Sequence, residues 1–313
     1  MSPEDFHAFC TRLARDWPAT GTVLSTHDTK RSADVRARIA VLSECPQRWS
    51  RLLEQLSGAG VLTPDPHLAW TAWQTALGFG EPDGERLTAA LLKSVREAGL
   101  HTSWTGQDAA YEQAVADFVA AGPAGPPFEA VAEFARELGP YVRANVLGSA
   151  LLHLTMPGVP DLYQGTEREF RALVDPDNRR PVDFTPLAAD GDGLSGLSAE
   201  KYAVTVAALG LRSGRPEVFG ESGTYTPLTA AGPAAGHCVA FCRSGETVTA
   251  VTRLSLRLAE AGGWRDTELV LPEGRWTDVL EPTGRGFSGT VRVAELFATR
   301  PVSLLTRAGR EEP

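Results

Sequence analysis

Seven consecutive polar residues, Ser25-Thr26-His27-Asp28-Thr29-Lys30-Arg31, set one carboxylate among an imidazole and two cations. A carboxylate so placed stays ionised. It can accept hydrogen bonds from hydroxyls or stabilise positive charge as it develops on a bound group. Val23 and Leu24 before the run are β-prone, and Val35, Ile39 and Leu42 after it have helical spacing. The pattern predicts a strand that delivers a charged tip to a loop, as the carboxyl ends of strands do in parallel α/β folds. From spacing alone the plainer role is favoured, in which His27 and Asp28 cap the following helix.

Residues 156–184, MPGVPDLYQGTEREFRALVDPDNRRPVDF, form a second polar stretch. Asp161, Tyr163, Gln164 and Glu167 lie at the end of a short, proline-broken β-prone segment, residues 159–163. Beyond them Asp175, Asp177, Arg179, Arg180 and Asp183 crowd a proline-fixed loop that could satisfy its own charges by salt bridges. Trp104, on the turn HTSW, could hold a sugar face or simply pack. Lys93 and Glu97 have the i, i+4 spacing of a solvated helical pair.

The combination of THDTKRS-x-DVRAR (26–38), PGVPD-x-YQGTE (157–167) and LVDPDNRRPVDF (173–184), with REAGLHTSW (96–104) between, resembles the maltooligosyl trehalose synthases of the α-amylase clan. The resemblance covers essentially the whole chain but only the later half of the family's pattern. It implies an α/β fold, the C-terminal part of a (β/α)8 TIM barrel with a helical insertion, followed by a small antiparallel β-sandwich domain. The segments expected are 1–60 around barrel strand seven, 61–126 for the insertion, 127–225 around strand eight and the last helix, and 226–313 for the β domain.

The implied activity is that of a (1->4)-alpha-D-glucan 1-alpha-D-glucosylmutase, an isomerase of trehalose biosynthesis. It turns the reducing-end α-1,4 link of a maltooligosaccharide into an α,α-1,1 link within a pocket that excludes water. Retaining transfer of this kind needs a nucleophile and an acid/base about 5 to 5.5 Å apart. By the resemblance Asp28 is the third, transition-state-stabilising carboxylate, and His27, Lys30, Arg31, Trp104, Tyr163, Gln164, Asp177 and Arg179 bind the substrate. The loop at 173–184 is expected to brace the pocket with some direct sugar contact.

The clan carries its nucleophile in an Arg-x-Asp motif, yet none of the 27 arginines here is followed two places on by Asp. The acid/base glutamate and the first barrel strands are unmatched as well. The chain is therefore expected to be inactive alone. It would be either one product of a split gene, whose N-terminal half supplies the other carboxylates, or a truncated, non-catalytic remnant that at most binds glucan. In both cases its two barrel strands lack neighbours and present open edges.

Composition agrees with a globular protein: 313 residues, 42% hydrophobic and 22% charged, allow two domains and a sizeable core. A net charge of −9 without a basic stripe argues against nucleic-acid or anionic-membrane partners and leaves neutral glucans unrepelled. Cys10, Cys45, Cys238 and Cys242 have no metal-ligand spacing and read as reduced thiols, so no zinc site or other cofactor is expected. The first residues show no leader and no run approaches ~18 apolar residues, which points to the cytoplasm.

The elements that position the polar stretches follow from periodicity. Ser2-Pro3-Glu4-Asp5 starts a helix with Phe6, Phe9, Cys10, Leu13 and Trp17 on one face. A long helix from about 33 to 56 should break at Cys45-Pro46, and a pair at 128–155 at Gly139-Pro140. Within 61–126, Trp70, Trp73 and Leu77 are expected in the core. A helix over 199–218, capped by Ser198, precedes short alternating runs between glycine turns.

Overall fold

The computed structural model describes residues 1–58, 60–187, 191, 193–281 and 285–308. Two compact units emerge, one from Met1–Leu24, Arg143–Glu169 and Asp183–Pro313, the other from Ser25–Val142 and Phe170–Val182. In chain order the first elements are α1 (Pro3–Asp16), β1 (Gly21–Val23), α2 (Ala33–Ala40), α3 (Pro46–Gly58), α4 (Pro66–Phe79), α5 (Gly84–Ala98), α6 (Ala109–Ala121), α7 (Phe128–Glu137), α8 (Gly139–Thr155) and β2 (Val159–Asp161). Next come α9 (Gly196–Gly214), α10 (Pro216–Phe219), β3 (Tyr225–Leu228), β4 (Ala230–Ala231), β5 (Cys238–Arg243), β6 (Thr247–Thr252) and α11 (Ser255–Glu260). The described elements end with β7 (Glu268–Val270), β8 (Trp276–Asp278), β9 (Gly286–Phe287), β10 (Thr290–Arg292), α12 (Val293–Leu296) and β11 (Val302–Arg307).

In the first unit β1 and β2 form a two-stranded parallel sheet with Gly21 opposite Val159 and Val23 opposite Asp161. β2 stops at Asp161, short of the expected 159–163, and β1 takes Gly21–Val23 and leaves out Leu24; among the described residues the two pair only with each other. His153 on α8 bonds the Thr22 carbonyl at 2.9 Å, and Arg212 donates to Leu154 O at 3.1 Å and Gly158 O at 2.7 Å. The Arg212 guanidinium thus closes the C-terminus of α8, where free carbonyls and the helix dipole favour a cation, and fixes the turn into β2.

The rest of this unit is antiparallel: a six-stranded sheet in the order β3-β5-β6-β11-β8-β9 and a three-stranded sheet β10-β7-β4. Every residue of β5 and β6 is buried, because both faces of the larger sheet are covered. Cys238, Ala240 and Cys242 of β5 face Leu269, Trp276 and Val291, while Val239 joins Leu147, Leu151 and Leu154 of α8 with Val204 and Ala208 of α9. Each such buried leucine stabilises by about 1.5–3 kcal/mol.

Sequence and structure part at several points in this unit. Helix α1 starts at Ser2-Pro3 as expected, with a capping box between Ser2 and Asp5, Cys10 fully buried and Phe6 against Phe241. Phe9 and Trp17, however, are 39% and 68% exposed. Trp17 is the C-cap, with non-helical φ, and so leaves the stripe. Helix α9 begins at Gly196 after Ser195, one turn earlier than Ser198 would have set it.

The second unit is mainly helical. The break at Cys45-Pro46 is present: α2 tightens into a 3₁₀ turn, Val41–Glu44, and Pro46 opens α3. Aspartates cap three helices, Asp65 toward Leu68 N, Asp83 toward Arg86 N and Asp108 toward Tyr111 N. Trp73 and Leu77 are buried, and Trp73 meets Phe118 edge-to-face at 6.2 Å. Trp70 is 52% exposed, a correction to the sequence reading. It falls just past the edge of the arc of α4 that Thr75, Phe79 and Trp73 bury.

Candidate functional site

Helix α2 is capped without help from the charged tip. Ser25 Oγ accepts from Ala33 N at 2.8 Å, which overturns the capping role for His27 and Asp28. Instead residues 26–29 close on themselves: Thr29 Oγ1 accepts from Thr26 N at 2.7 Å, and Thr26 Oγ1 from Asp28 N at 3.3 Å. His27 and Asp28 are left pointing outward and exposed.

Asp28 Oδ1 takes a hydrogen bond from Lys30 Nζ at 3.3 Å, which holds its carboxyl below the usual carboxylate range. Lys30 also reaches Glu97 Oε2 at 3.1 Å, and these two partners, Glu97 foremost, push its ammonium above the usual lysine value. The side chains of Asp28 and Lys30 are 68% and 47% exposed, so water screens the pair and it contributes little to stability. Asp28 is a charged, accessible group, free to exchange its partner for a bound hydroxyl.

The loop that holds this tip comes from residues 170–180. Ser32 N bonds Ala172 O at 2.9 Å, and the buried Asp34 accepts from Phe170 N at 2.7 Å. Arg31 forms an isolated antiparallel bridge with Leu173. Asn178, 3% exposed, donates from Nδ2 to His27 O at 2.8 Å and Thr26 O at 3.2 Å, and Asp175 N adds a bond to His27 O. Both carbonyls before Asp28 are therefore tied down.

The other expected site residues of this unit are more committed. Arg31 spends Nε and Nη2 on Thr75 Oγ1, at 3.0 and 2.7 Å, and burial lowers its pKa. With Lys30, Thr71, Ser94 and Leu173 it lines a cavity of about 90 Å³. Asp177 is gripped by Arg86 at 2.5 and 2.9 Å and by Leu173 N at 2.7 Å. Arg179 pairs with Asp175 at 2.6 Å. The loop satisfies its own charges only in part: Arg179–Asp175 and Arg180–Asp177 pair within it, while the shorter bonds to Asp177 come from Arg86 on α5. Arg86, Asp177 and Arg180 border a larger cavity of about 250 Å³.

Trp104 is 53% exposed with the Arg96 guanidinium 5.2 Å from its ring, a cation–π contact. Glu112 fixes that arrangement by bonding Arg96 and Thr102, and those bonds lower its carboxyl to about 2. Tyr163 and Gln164 belong to the first unit, on the loop after β2, where Tyr163 O accepts from Thr166.

Three partnerships are not legible in the sequence. Nothing in LVDPDNRRPVDF marks Asn178 as the residue that ties the tip. Lys93 and Glu97 do share a face of α5, yet they do not pair. Lys93 donates to Asp175 O at 3.0 Å and adds to the positive field on Asp28, while Glu97 takes Lys30. Their spacing gave the face, not the partners. Among the described residues no group of three or more His, Cys, Asp or Glu side chains could hold a metal ion. No described helix is long and apolar enough to cross a membrane.

No family model matches the chain. Proteins of Mycobacterium tuberculosis, strains CDC 1551 and H37Rv, that carry the name maltooligosyl trehalose synthase are 42% identical over 310 residues. These 310 residues are 97% of this chain and 40% of theirs. The solved maltooligosyltrehalose synthase of Arthrobacter ramosus superposes with a TM-score of 0.90 at 42% identity, over 98% of this chain and 41% of that one. The hypothetical maltooligosyl trehalose synthase of Sulfolobus tokodaii gives 0.74 at 28% identity, with 98% of this chain and 41% of that one covered. By sequence and by fold, then, the chain is similar to the maltooligosyl trehalose synthases and spans about two fifths of their length.

Proposed function

We propose that this chain is the C-terminal part of a maltooligosyl trehalose synthase and acts on maltooligosaccharides or related glucans in the cytoplasm. Asp28 is the transition-state-stabilising carboxylate. It accepts hydrogen bonds from ring hydroxyls that tighten as positive charge develops on the sugar. His27, Lys30, Tyr163, Gln164 and Trp104 contact the substrate, and Arg31, Asp177 and Arg179 chiefly brace the pocket wall. The nucleophile and acid/base lie outside these 313 residues, so these residues alone are inactive.

The observation that carries this reading is the state of Asp28, an exposed carboxylate held ionised on a tip whose two preceding carbonyls are clamped by a buried amide. The parallel pairing of β1 and β2 supports their assignment as barrel strands seven and eight, since parallel strands belong to larger, covered sheets. The test is to mix the purified chain with the part of the Arthrobacter ramosus synthase that it does not match. Mixing should yield a non-reducing α,α-1,1-linked product from maltooligosaccharide, and neither piece alone should. Product from the chain by itself, or none from the mixture, would refute the reading.

A further inference from the structure

The ammonium of Lys30 is shared between two carboxylates, Asp28 Oδ1 at 3.3 Å and Glu97 Oε2 at 3.1 Å. The two hold it from different supports. Asp28 sits beside Lys30 on the same tip, whereas Glu97 projects from α5, a helix capped at its start by Asp83 and ended by Gly99. Glu97 is available to Lys30 because the cations near it on α5 are engaged elsewhere. Lys93 donates to Asp175 O at 3.0 Å, and Arg96 holds Glu112 at 2.9 Å.

Access separates the two carboxylates. The Asp28 side chain is 68% exposed and that of Glu97 32%, so Asp28 is the partner that a bound ligand can reach. To accept a hydroxyl from the direction that Lys30 occupies, Asp28 must release the lysine. An ammonium has three donors, so Nζ can keep Glu97 while it lets Asp28 go. Without Glu97 the lysine would settle wholly on Asp28, and the ligand would have to break a stronger pair. The backbone of the tip is tied by Asn178, which confines the exchange to side chains.

We infer that Glu97 is a positioning residue for the Asp28 site, which takes over Lys30 when Asp28 turns to a sugar hydroxyl. The inference rests on the functional reading above and adds a residue to it. Glu97 touches no reacting atom. It keeps the released ammonium paired, and so acts on substrate binding through Lys30.

Two measurements test it. In the chain by itself, NMR titration of the lysine ammonium groups should show Lys30 losing its proton at lower pH in Glu97→Gln than in Asp28→Asn, because Glu97 is the firmer partner. The opposite order overturns the inference. In the mixture with the unmatched part of the Arthrobacter ramosus synthase, Glu97→Gln should raise KM for a maltooligosaccharide about two- to fivefold, the range open to a part-exposed ion pair, with kcat little moved. In a Lys30→Met background the same exchange should change KM no further, whereas a merely structural role of Glu97 would persist there. An unchanged KM, or an equal rise without Lys30, overturns the inference while the functional reading stands. A wild-type mixture that makes no product refutes the functional reading, and the inference with it.

Discussion

The side-chain amide of Asn178 lies 2.8 Å from the carbonyl oxygen of His27, across 151 residues of sequence, and so locks the tip that carries Asp28. Removing the buried Asn178 amide deletes two hydrogen bonds at once and leaves Thr26 O without that donor and His27 O with only the bond from Asp175 N. Asn178→Ala should destabilise the protein by about 1–3 kcal/mol and speed exchange of the Asp28 and Thr29 amides. Asn178→Asp should be no better, since a carboxylate cannot donate to those carbonyls. A variant with wild-type melting and exchange would show that the tip is held by other means.

The Arg86–Asp177 pair makes a stronger demand. Their side chains are only 14% and 8% exposed, so Arg86→Ala leaves a buried carboxylate with reduced compensation. The expected loss is about 3–5 kcal/mol by denaturant unfolding. Removing both charges, as in Arg86→Met with Asp177→Leu, should cost less than the single change. A smaller loss for the single variant would contradict this.

Much of the local architecture was legible in the sequence because its causes are local. Pro46 must break the helix that approaches it, and Ser2-Pro3-Glu4-Asp5 carries its own cap. What sequence could not give is the choice of partner across long separations. Lys93 and Glu97 looked like a pair until Asp175 O and Lys30 took them separately. Asp28 looked like a cap until Ser25 proved to hold Ala33 N. Trp17 and Trp70 show the same limit at the ends of apolar stripes, where one residue's departure from the arc decides exposure.

His153 makes stability depend on pH. Burial, its largest influence, lowers the imidazole pKa below the ordinary 6.5, while the hydrogen bond at Thr22 O opposes this and the Arg212 charge adds to it. The unfolded chain therefore binds the proton more readily. Stability should be fully present above pH 6.5 and fall as the pH drops through 6.5 toward the depressed folded value. His7, lowered chiefly by burial as well, acts in the same direction. Unfolding measured between about pH 7 and 5 should show the slope, and His153→Gln should flatten it. An unchanged slope in that variant would assign the dependence elsewhere.

The central claim is that Asp28 acts on the transition state, and Asp28→Asn in the reconstituted mixture addresses it most directly. The exchange keeps size and one acceptor oxygen, turns the other into a donor amide, and removes the charge that an oxocarbenium-like sugar needs. Steady-state kinetics on a maltooligosaccharide should show kcat reduced on the order of a hundredfold to a thousandfold, with KM little moved. A change confined to KM, or no change at all, would mean that Asp28 merely binds or does not take part.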